Sequence, residues 1–220
     1  VGKTEIALLA ITAMDKHGID FEYGEIDEIR KLFIFLSEKK DPKVSLRTSP
    51  SLENDLQTYD DYVEFFNPVA GLFDEPVSVL DLGGGVSEKF MEWMKASSLD
   101  EILEDYNTRP HFMSVATPDA VAFMAAISAL KSNFLMFRDR ADYSLVLNDM
   151  TGTGFAAVKA SPQISKELQN LSENMNVNII DVPHLPNNNL ISFAKSAQLS
   201  TYEAWGLANR LLQSLKDGSD

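Results

Sequence analysis

The chain has no cysteine among its 220 residues, and this absence removes several chemistries at once. Disulfides, thiol nucleophiles, iron–sulfur clusters and thiolate zinc sites all need cysteine, and a chain without it fits a reducing compartment such as the cytoplasm. Positive charge is also scarce, with 19 Lys and Arg against 33 Asp and Glu and a net charge of −14. Binding to phosphates along DNA needs positive surface, so the charge balance argues against direct DNA binding. A local basic patch is still compatible with this net charge.

Long uncharged apolar runs are missing as well. None approaches the ~20 residues that a membrane-spanning helix needs, so we expect no membrane role. The three histidines, His17, His111 and His184, lack the spacing of metal ligands. What the chain does have is a globular composition, 45% hydrophobic and 10% aromatic. We therefore expect one domain over residues 1–220.

The chain opens with Val1-Gly2-Lys3-Thr4, followed by a run of apolar helix formers that ends at Gly18. Because this run is apolar nearly all round, it predicts a buried helix with Gly-Lys-Thr on its first turn. The end of a P-loop has the same placement, since G-x-x-x-x-G-K-[ST] joins a strand to a helix and cradles phosphates. An ordinary helix start is the other reading of a tripeptide this short. On the P-loop reading the first glycine and its strand precede Val1, and we expect an N-terminally truncated chain.

Strand and helix patterns alternate along the sequence, which is typical of an α/β fold with a mostly parallel sheet covered by helices on both faces. The predicted strands are 19–26, 77–82, 111–116, 143–148 and 177–182. The predicted helices are 3–17, 28–38, 55–66, 87–96, 99–105, 118–132, 163–173, 188–196 and 201–216, and residues 39–54 are predicted to be a surface loop. In such sheets ligands bind beyond the carboxyl ends of the strands, so the residues found there are candidates for a site.

The most informative strand end is Val79-Leu80-Asp81-Leu82, which runs into Gly83-Gly84-Gly85. A carboxylate in this position suits a Walker-B role on Mg²⁺, and glycines allow backbone N–H groups to approach a γ-phosphate. The alternative is an aspartate that caps the following helix, with glycines that serve the turn. The other strand ends carry Glu25 and Asp27, then Thr117-Pro118-Asp119, then Asn148, then the loop 183–186.

Taken in order, these motifs resemble the ParA/MinD-type P-loop ATPases, which have a deviant Walker A sequence K-G-G-x-G-K-[ST]. Gly2-Lys3-Thr4 resembles the end of that loop, Glu25-x-Asp27 its D-x-D, and Asp81-Leu82-Gly83-Gly84-Gly85 its switch II. Thr117-Pro118-Asp119, the strand that ends at Asn148, and Val182-Pro183-His184-Leu185-Pro186 resemble later motifs of the family. The resemblance implies a three-layer P-loop NTPase fold whose first strand is missing from this chain.

For phosphate and metal, the resemblance implies that Gly2 and Lys3 bind the phosphates of ATP. Thr4 is then a ligand of Mg²⁺, and Asp81 acts on the same ion through water. Lys3 counts with the catalytic residues because it contacts the phosphates that react.

For the reaction and the base, the resemblance implies that Asp27 positions or activates the attacking water. Gly83 and Gly84 contact the γ-phosphate side, while Asn148 and Pro183 hold adenine. Family members form homodimers around two ATP molecules, and hydrolysis resets the dimer. The triple glycine and Glu-x-Asp resemble the plasmid-stability and conjugation-associated branch (StbB/TraL-like) more than MinD, which implies protein partners in a partition or DNA-transfer complex.

Two further functions stay open at this stage. Glu5 and Glu25 depart from the family pattern, which would suit a non-catalytic interaction module that keeps the fold. A small-molecule P-loop kinase would need a lid rich in arginine, for which Arg138 and Arg140 are the nearest candidates. The apolar face of the 201–216 helix, with Tyr202 and Trp205, predicts core packing rather than a membrane anchor, because its polar face has little Lys or Arg.

Overall fold

The computed structural model describes residues 2–29, 31–36, 40–48, 58–182 and 184. The strands in these ranges are β1 (Glu22–Ile26), β2 (Val44–Leu46), β3 (Ser78–Leu82), β4 (His111–Ala116), β5 (Asp142–Asn148) and β6 (Asn178–Val182). The helices are α1 (Lys3–Lys16), α2 (Lys31–Leu36), α3 (Tyr59–Phe66), α4 (Ser87–Ala96), α5 (Leu99–Asp105), α6 (Ala120–Phe137), α7 (Ala156–Lys159) and α8 (Pro162–Met175). Short 3-10 helices follow α3 at Asn67–Leu72 and α6 at Arg138–Arg140.

The strands pair in parallel and form two three-stranded sheets in the described part of the chain. The first has the order β2–β1–β3, with Glu25 opposite Asp81, and the second has the order β4–β5–β6. Because every pair is parallel, the carboxyl ends of the strands in each sheet lie along one edge. The predicted α/β class is confirmed, although these ladders form two sheets instead of one continuous sheet.

Helices cover both faces of the first sheet, and the alternation of side chains along β1 explains how. Tyr23 faces α1 and α2, where it packs with Leu8 and Leu32. Ile26, on the opposite face, belongs to the larger core cluster with Phe66 of α3. The same cluster contains Leu145 of β5, so the two sheets share one hydrophobic core.

The buried positions of α1 and its termination at Gly18 agree with the prediction from the sequence. Ile6, Leu8 and Ile11 are buried. The helix stops where Gly18 takes a φ of +67°, and Ile19 N donates to Met14 O at 2.9 Å, which satisfies a carbonyl of the last turn. This is the left-handed termination that glycine favours. It also explains why β1 starts at Glu22 and not at residue 19 as predicted, because Ile19 still belongs to the helix end.

Two other boundaries were predicted wrongly. Residues 39–54 include strand β2, whose Val44 is buried and pairs with Gly24 of β1. A three-residue strand between charged residues is too short to show a period. α6 continues to Phe137 and not to 132, because its buried positions Leu130 and Phe137 keep helical spacing until Arg138 takes a φ of +51°. The predicted helices 188–196 and 201–216, residues 55–57, and the 183–186 loop apart from His184 lie outside the described residues.

One described helical segment, Ala120–Arg140, is long and apolar enough to cross a membrane by length and composition alone. It consists of α6 and the short helix after it. Phe123, Ile127 and Leu130 of α6 are buried in the core cluster, and the helix packs on β4 and β5. The core helix of a globular domain has the same composition.

β3 and β4 are edge strands of their sheets in the described part of the chain, as β2 and β6 are. Among the described residues each has a hydrogen-bonded neighbour on one edge only. β1 and β5 are buried along nearly their whole length, whereas β3 and β4 are mostly half-exposed. α1 contacts both β3 and β4 and therefore bridges the two sheets.

Candidate functional site

A hydroxyl, a carboxylate and an ammonium group meet where α1 begins. Thr4 Oγ1 donates to Asp81 Oδ2 at 2.7 Å, and both side chains are buried. Lys3 Nζ donates to Gly83 O at 3.0 Å. The structure thus brings together the predicted phosphate lysine, the predicted metal-binding threonine and the predicted strand-end aspartate. They come from segments nearly eighty residues apart in sequence.

Gly2 sets the direction in which α1 starts. Its φ is +87°, a conformation that glycine adopts at little cost and that other residues avoid. A Cβ atom at this position would collide with Nδ2 of Asn148, which is itself buried at the carboxyl end of β5. Asn148 therefore lies against the start of α1, and the second sheet contributes a polar side chain to the same site.

Gly83 allows β1 and β3 to end side by side. Its N–H donates to Ile26 O at 2.7 Å, and a Cβ atom there would lie 2.9 Å from Cγ of Asp27. Any larger residue would push Asp27 away from the end of β3. Gly84 is exposed, with open space where a Cβ would point. The triple glycine thus begins with a close backbone contact and then opens to solvent.

Burial and nearby charges set the protonation of the central pair. Burial raises the pKa of Asp81, while the hydrogen bond from Thr4 and the charge of Lys3 oppose that rise. Burial lowers the pKa of Lys3, and the carboxylates of Asp81 and Asp27 partly restore it. Charged groups with little water around them interact strongly with an incoming ion, because the effective dielectric is low.

Glu25 is the second buried carboxylate at this edge, and its role was not foreseen from the sequence. It is 0% exposed. Its Oε2 accepts from Phe33 N at 3.1 Å and its Oε1 accepts from Ser45 Oγ at 3.3 Å. A glutamate in a short strand usually faces solvent, so the sequence gives no sign that Glu25 is buried. The strand register, which puts Glu25 opposite Asp81, is the information that was needed. Glu25 ties β1 to α2 and β2.

The remaining predicted positions lie apart from this centre or outside the described residues. Asp119 accepts from Ala122 N at 2.8 Å and so caps α6. Pro183 is outside the described residues, and its neighbour His184 packs on Gly152. Arg140 pairs with Asp100 near the start of β5, at the opposite end of the strand from Asn148. The arginine lid that a kinase would need is therefore not supplied by this residue.

The donor set at the start of α1 suits magnesium better than a transition metal. Thr4 and Asp81 offer hard oxygen atoms, which Mg²⁺ prefers together with phosphate oxygens and water. Within the described ranges no group of three or more His, Asp or Glu side chains forms a metal site of its own. A magnesium ion here would depend on a phosphate ligand.

No protein-family model and no curated protein matches the chain. Its structure is similar to a chain of the MinC:MinD cell division protein complex from Aquifex aeolicus, with 14% sequence identity and a TM-score of 0.46 over 97% of this chain and 91% of that chain.

Proposed function

We propose that this chain is a single P-loop NTPase domain, an ATPase of the ParA/MinD type that binds and hydrolyses ATP with Mg²⁺. The observation that carries the proposal is the buried 2.7 Å hydrogen bond between Thr4 and Asp81, beside the Lys3 ammonium, where α1 begins. Burying charged groups costs free energy unless they are paired with groups of opposite charge or with a ligand. A magnesium-bound triphosphate uses all three groups at once.

The roles of the phosphate and metal residues follow from this arrangement. Lys3 supplies a positive charge for phosphate oxygens, and the backbone at Gly2 and the first turn of α1 offers N–H groups to the same anion. Thr4 and Asp81 hold Mg²⁺, which neutralises charge on the transferred phosphoryl group when it is bound. Gly83 and Gly84 leave room for a phosphate beside the strand end.

Asp27 is our candidate for positioning the attacking water. It is half-buried, directly follows β1, and lies against Gly83 on the side of the site open to solvent. A carboxylate in that place accepts a hydrogen bond from water without needing to be buried itself. Asn148 and Pro183 are proposed to contact adenine. Of these two residues the structure describes Asn148, which lies next to Gly2.

A P-loop also needs a strand before Gly2, and the open edges of β3 and β4 supply a place for one. The start of α1 contacts Gly83 after β3 and Asn148 after β5, so it lies at the carboxyl edge of both sheets. A parallel strand of about five or six residues, like β3 and β4, would pair with both and join the sheets.

The cellular setting is proposed on the family resemblance alone. It comprises a cytoplasmic homodimer that forms around ATP and serves plasmid stability, partition or conjugative transfer through protein partners, in a branch like StbB/TraL. The low positive charge favours partner proteins over direct contact with DNA. The family's signature lysine would precede Gly2.

The test is ATP binding and turnover by the purified protein. We expect Mg²⁺-dependent binding, a loss of about 100-fold in Lys3→Met, and lost turnover with retained binding in Asp27→Asn. The exposed Lys166→Met serves as the matched lysine control. Absence of ATP binding in the wild type would refute the proposal.

A second candidate is a nucleotide-binding module without hydrolysis. It is favoured by Glu5, whose charge acts on Asp81 and places a further carboxylate at the site. Binding without phosphate release in the wild type would select this candidate, and turnover that depends on Asp27 would exclude it.

A further inference from the structure

The loop from β1 to α2 is held at both of its ends beside the proposed phosphate site. Asp27 Oδ1 accepts from Ile29 N at 3.3 Å, which closes a tight turn directly after the strand. Two residues after Lys31, Phe33 N donates to the buried Glu25 at 3.1 Å. The chain is therefore attached to the end of β1 at Ile29 and again at Phe33, and Lys31 lies between these two attachments in sequence.

Packing holds α2 in the same position. Leu32 and Leu36 are buried against Leu8 and Ile11 of α1 and Tyr23 of β1. Lys31, immediately before Leu32, is exposed and makes no ion pair or hydrogen bond among the described residues. The helix thus has a fixed buried face, and its first residue presents an ammonium group to solvent at the edge where α1 begins.

The loop that contains Lys31 begins at the site itself, because Asp27 lies against Gly83, whose carbonyl accepts from Lys3. Burial lowers the pKa of Lys3 and the charge of Lys31 adds to that lowering, whereas Asp81 and Asp27 oppose it. Glu5 and Asp27 in turn raise the pKa of Asp81. With buried Glu25, the neighbourhood therefore has four carboxylates but, with Lys31 included, two ammonium groups. A triphosphate entering this surplus of negative charge needs more than Lys3 and a magnesium ion to balance it.

We propose that Lys31 is a second phosphate-contacting lysine, which binds the γ-phosphate end of the nucleotide, and that buried Glu25 is the residue that positions it. This inference rests on the proposed ATPase function. It assigns the γ-phosphate end because Lys31 shares its loop with Asp27, the candidate water-positioning residue.

The experiment compares the affinity of the whole chain for ATP–Mg²⁺ and ADP–Mg²⁺. We expect Lys31→Gln to weaken ATP binding about tenfold and ADP binding less than about twofold, since a hydrogen bond between two charged groups contributes on this scale. Lys31→Arg should retain most of the affinity. Lys166→Gln, which changes an exposed lysine on α8, should leave both affinities unchanged.

Glu25 is tested in parallel. Glu25→Gln keeps an acceptor oxygen for Phe33 N and should keep the preference for ATP over ADP, whereas Glu25→Ala should lose that preference as Lys31→Gln does. Urea unfolding of each variant shows how much of any loss is due to stability.

Equal ATP affinities in Lys31→Gln and wild type would overturn this proposal alone, provided that Lys3→Met still weakens binding about 100-fold. An equal loss of ATP and ADP affinity would overturn the assignment to the γ-phosphate end. Failure of the wild type to bind either nucleotide would overturn both proposals.

Discussion

The two sheets have the same parallel architecture but differ at their carboxyl edges. The first sheet has buried charged groups there, where Glu25 and Asp81 lie on neighbouring strands and Thr4 contacts Asp81. Both sheets have ion pairs at the amino edge, such as Lys40 with Glu22 in the first and Arg109 with Asp142 in the second. Buried charges cost free energy, whereas exposed pairs contribute little. The difference favours the carboxyl edge of the first sheet as the centre of the proposed site.

The largest effect should come from removing core volume in the second sheet. Leu145 is 0% exposed in the middle of β5, and Leu145→Ala should lower the free energy of unfolding by about 2–5 kcal/mol because it leaves a cavity. Urea denaturation measures this change. Leu135→Ala on α6, at a leucine that is 66% exposed, is the control and should have little effect.

If the second sheet only supports the site, the folded fraction of Leu145→Ala should bind ATP with the affinity of the wild type. A large loss of affinity per folded molecule would break the comparison between the sheets.

The next largest effect concerns the point where both sheets meet α1. Gly2→Ala forces a side chain into a left-handed conformation and against Asn148, and we expect destabilisation of about 1–2 kcal/mol or more. Gly84→Ala is a matched control because a Cβ there meets open space. Equal unfolding midpoints for the two variants would show that Gly2 does not need its conformation.

The buried aspartate predicts a pH dependence of known sign. The folded state raises the pKa of Asp81 above the ordinary 3.8, so it keeps a proton that the unfolded chain has already released. Stability should therefore be highest below the ordinary value and fall as pH rises through the raised pKa. Asp81→Asn removes this slope, and the difference in unfolding free energy between variant and wild type should grow across that window. A constant difference from acid to neutral pH would contradict the burial of the charge.

The smallest effect is expected at the amino edge of the second sheet. Arg109 and Asp142 are more than half exposed, so Arg109→Ala should move the unfolding midpoint little and leave nucleotide binding unchanged. Added salt should shrink even that difference, because solvent ions screen exposed pairs. A marked loss of stability would mean that this edge does more than the comparison allows.

General rules for strand ends and helix starts predicted much of the site. They placed Lys3 and Thr4 on the first turn of a buried helix and Asp81 at the end of a strand, and the structure brings these residues together. The same rules do not reveal tertiary contacts of single residues. Glu25 looks like a surface acid in sequence and is buried because β2 and α2 cover it.

The remaining errors have local causes. β2 is only three residues long, too short for a hydrophobic pattern to emerge beside Lys43 and Arg47. The position of Lys31 depends on how tightly the chain turns after Asp27, which no spacing rule specifies. The functional roles of the site residues stay predictions that the variants above test.

The open edges of β3 and β4 affect how the purified protein behaves in solution. Each presents a row of backbone donors and acceptors to any strand that reaches it, including one from another molecule. Self-association should therefore rise with protein concentration and with the time that the purified protein spends in solution. A short synthetic peptide that occupies the space between the edges would act as a stabilising additive.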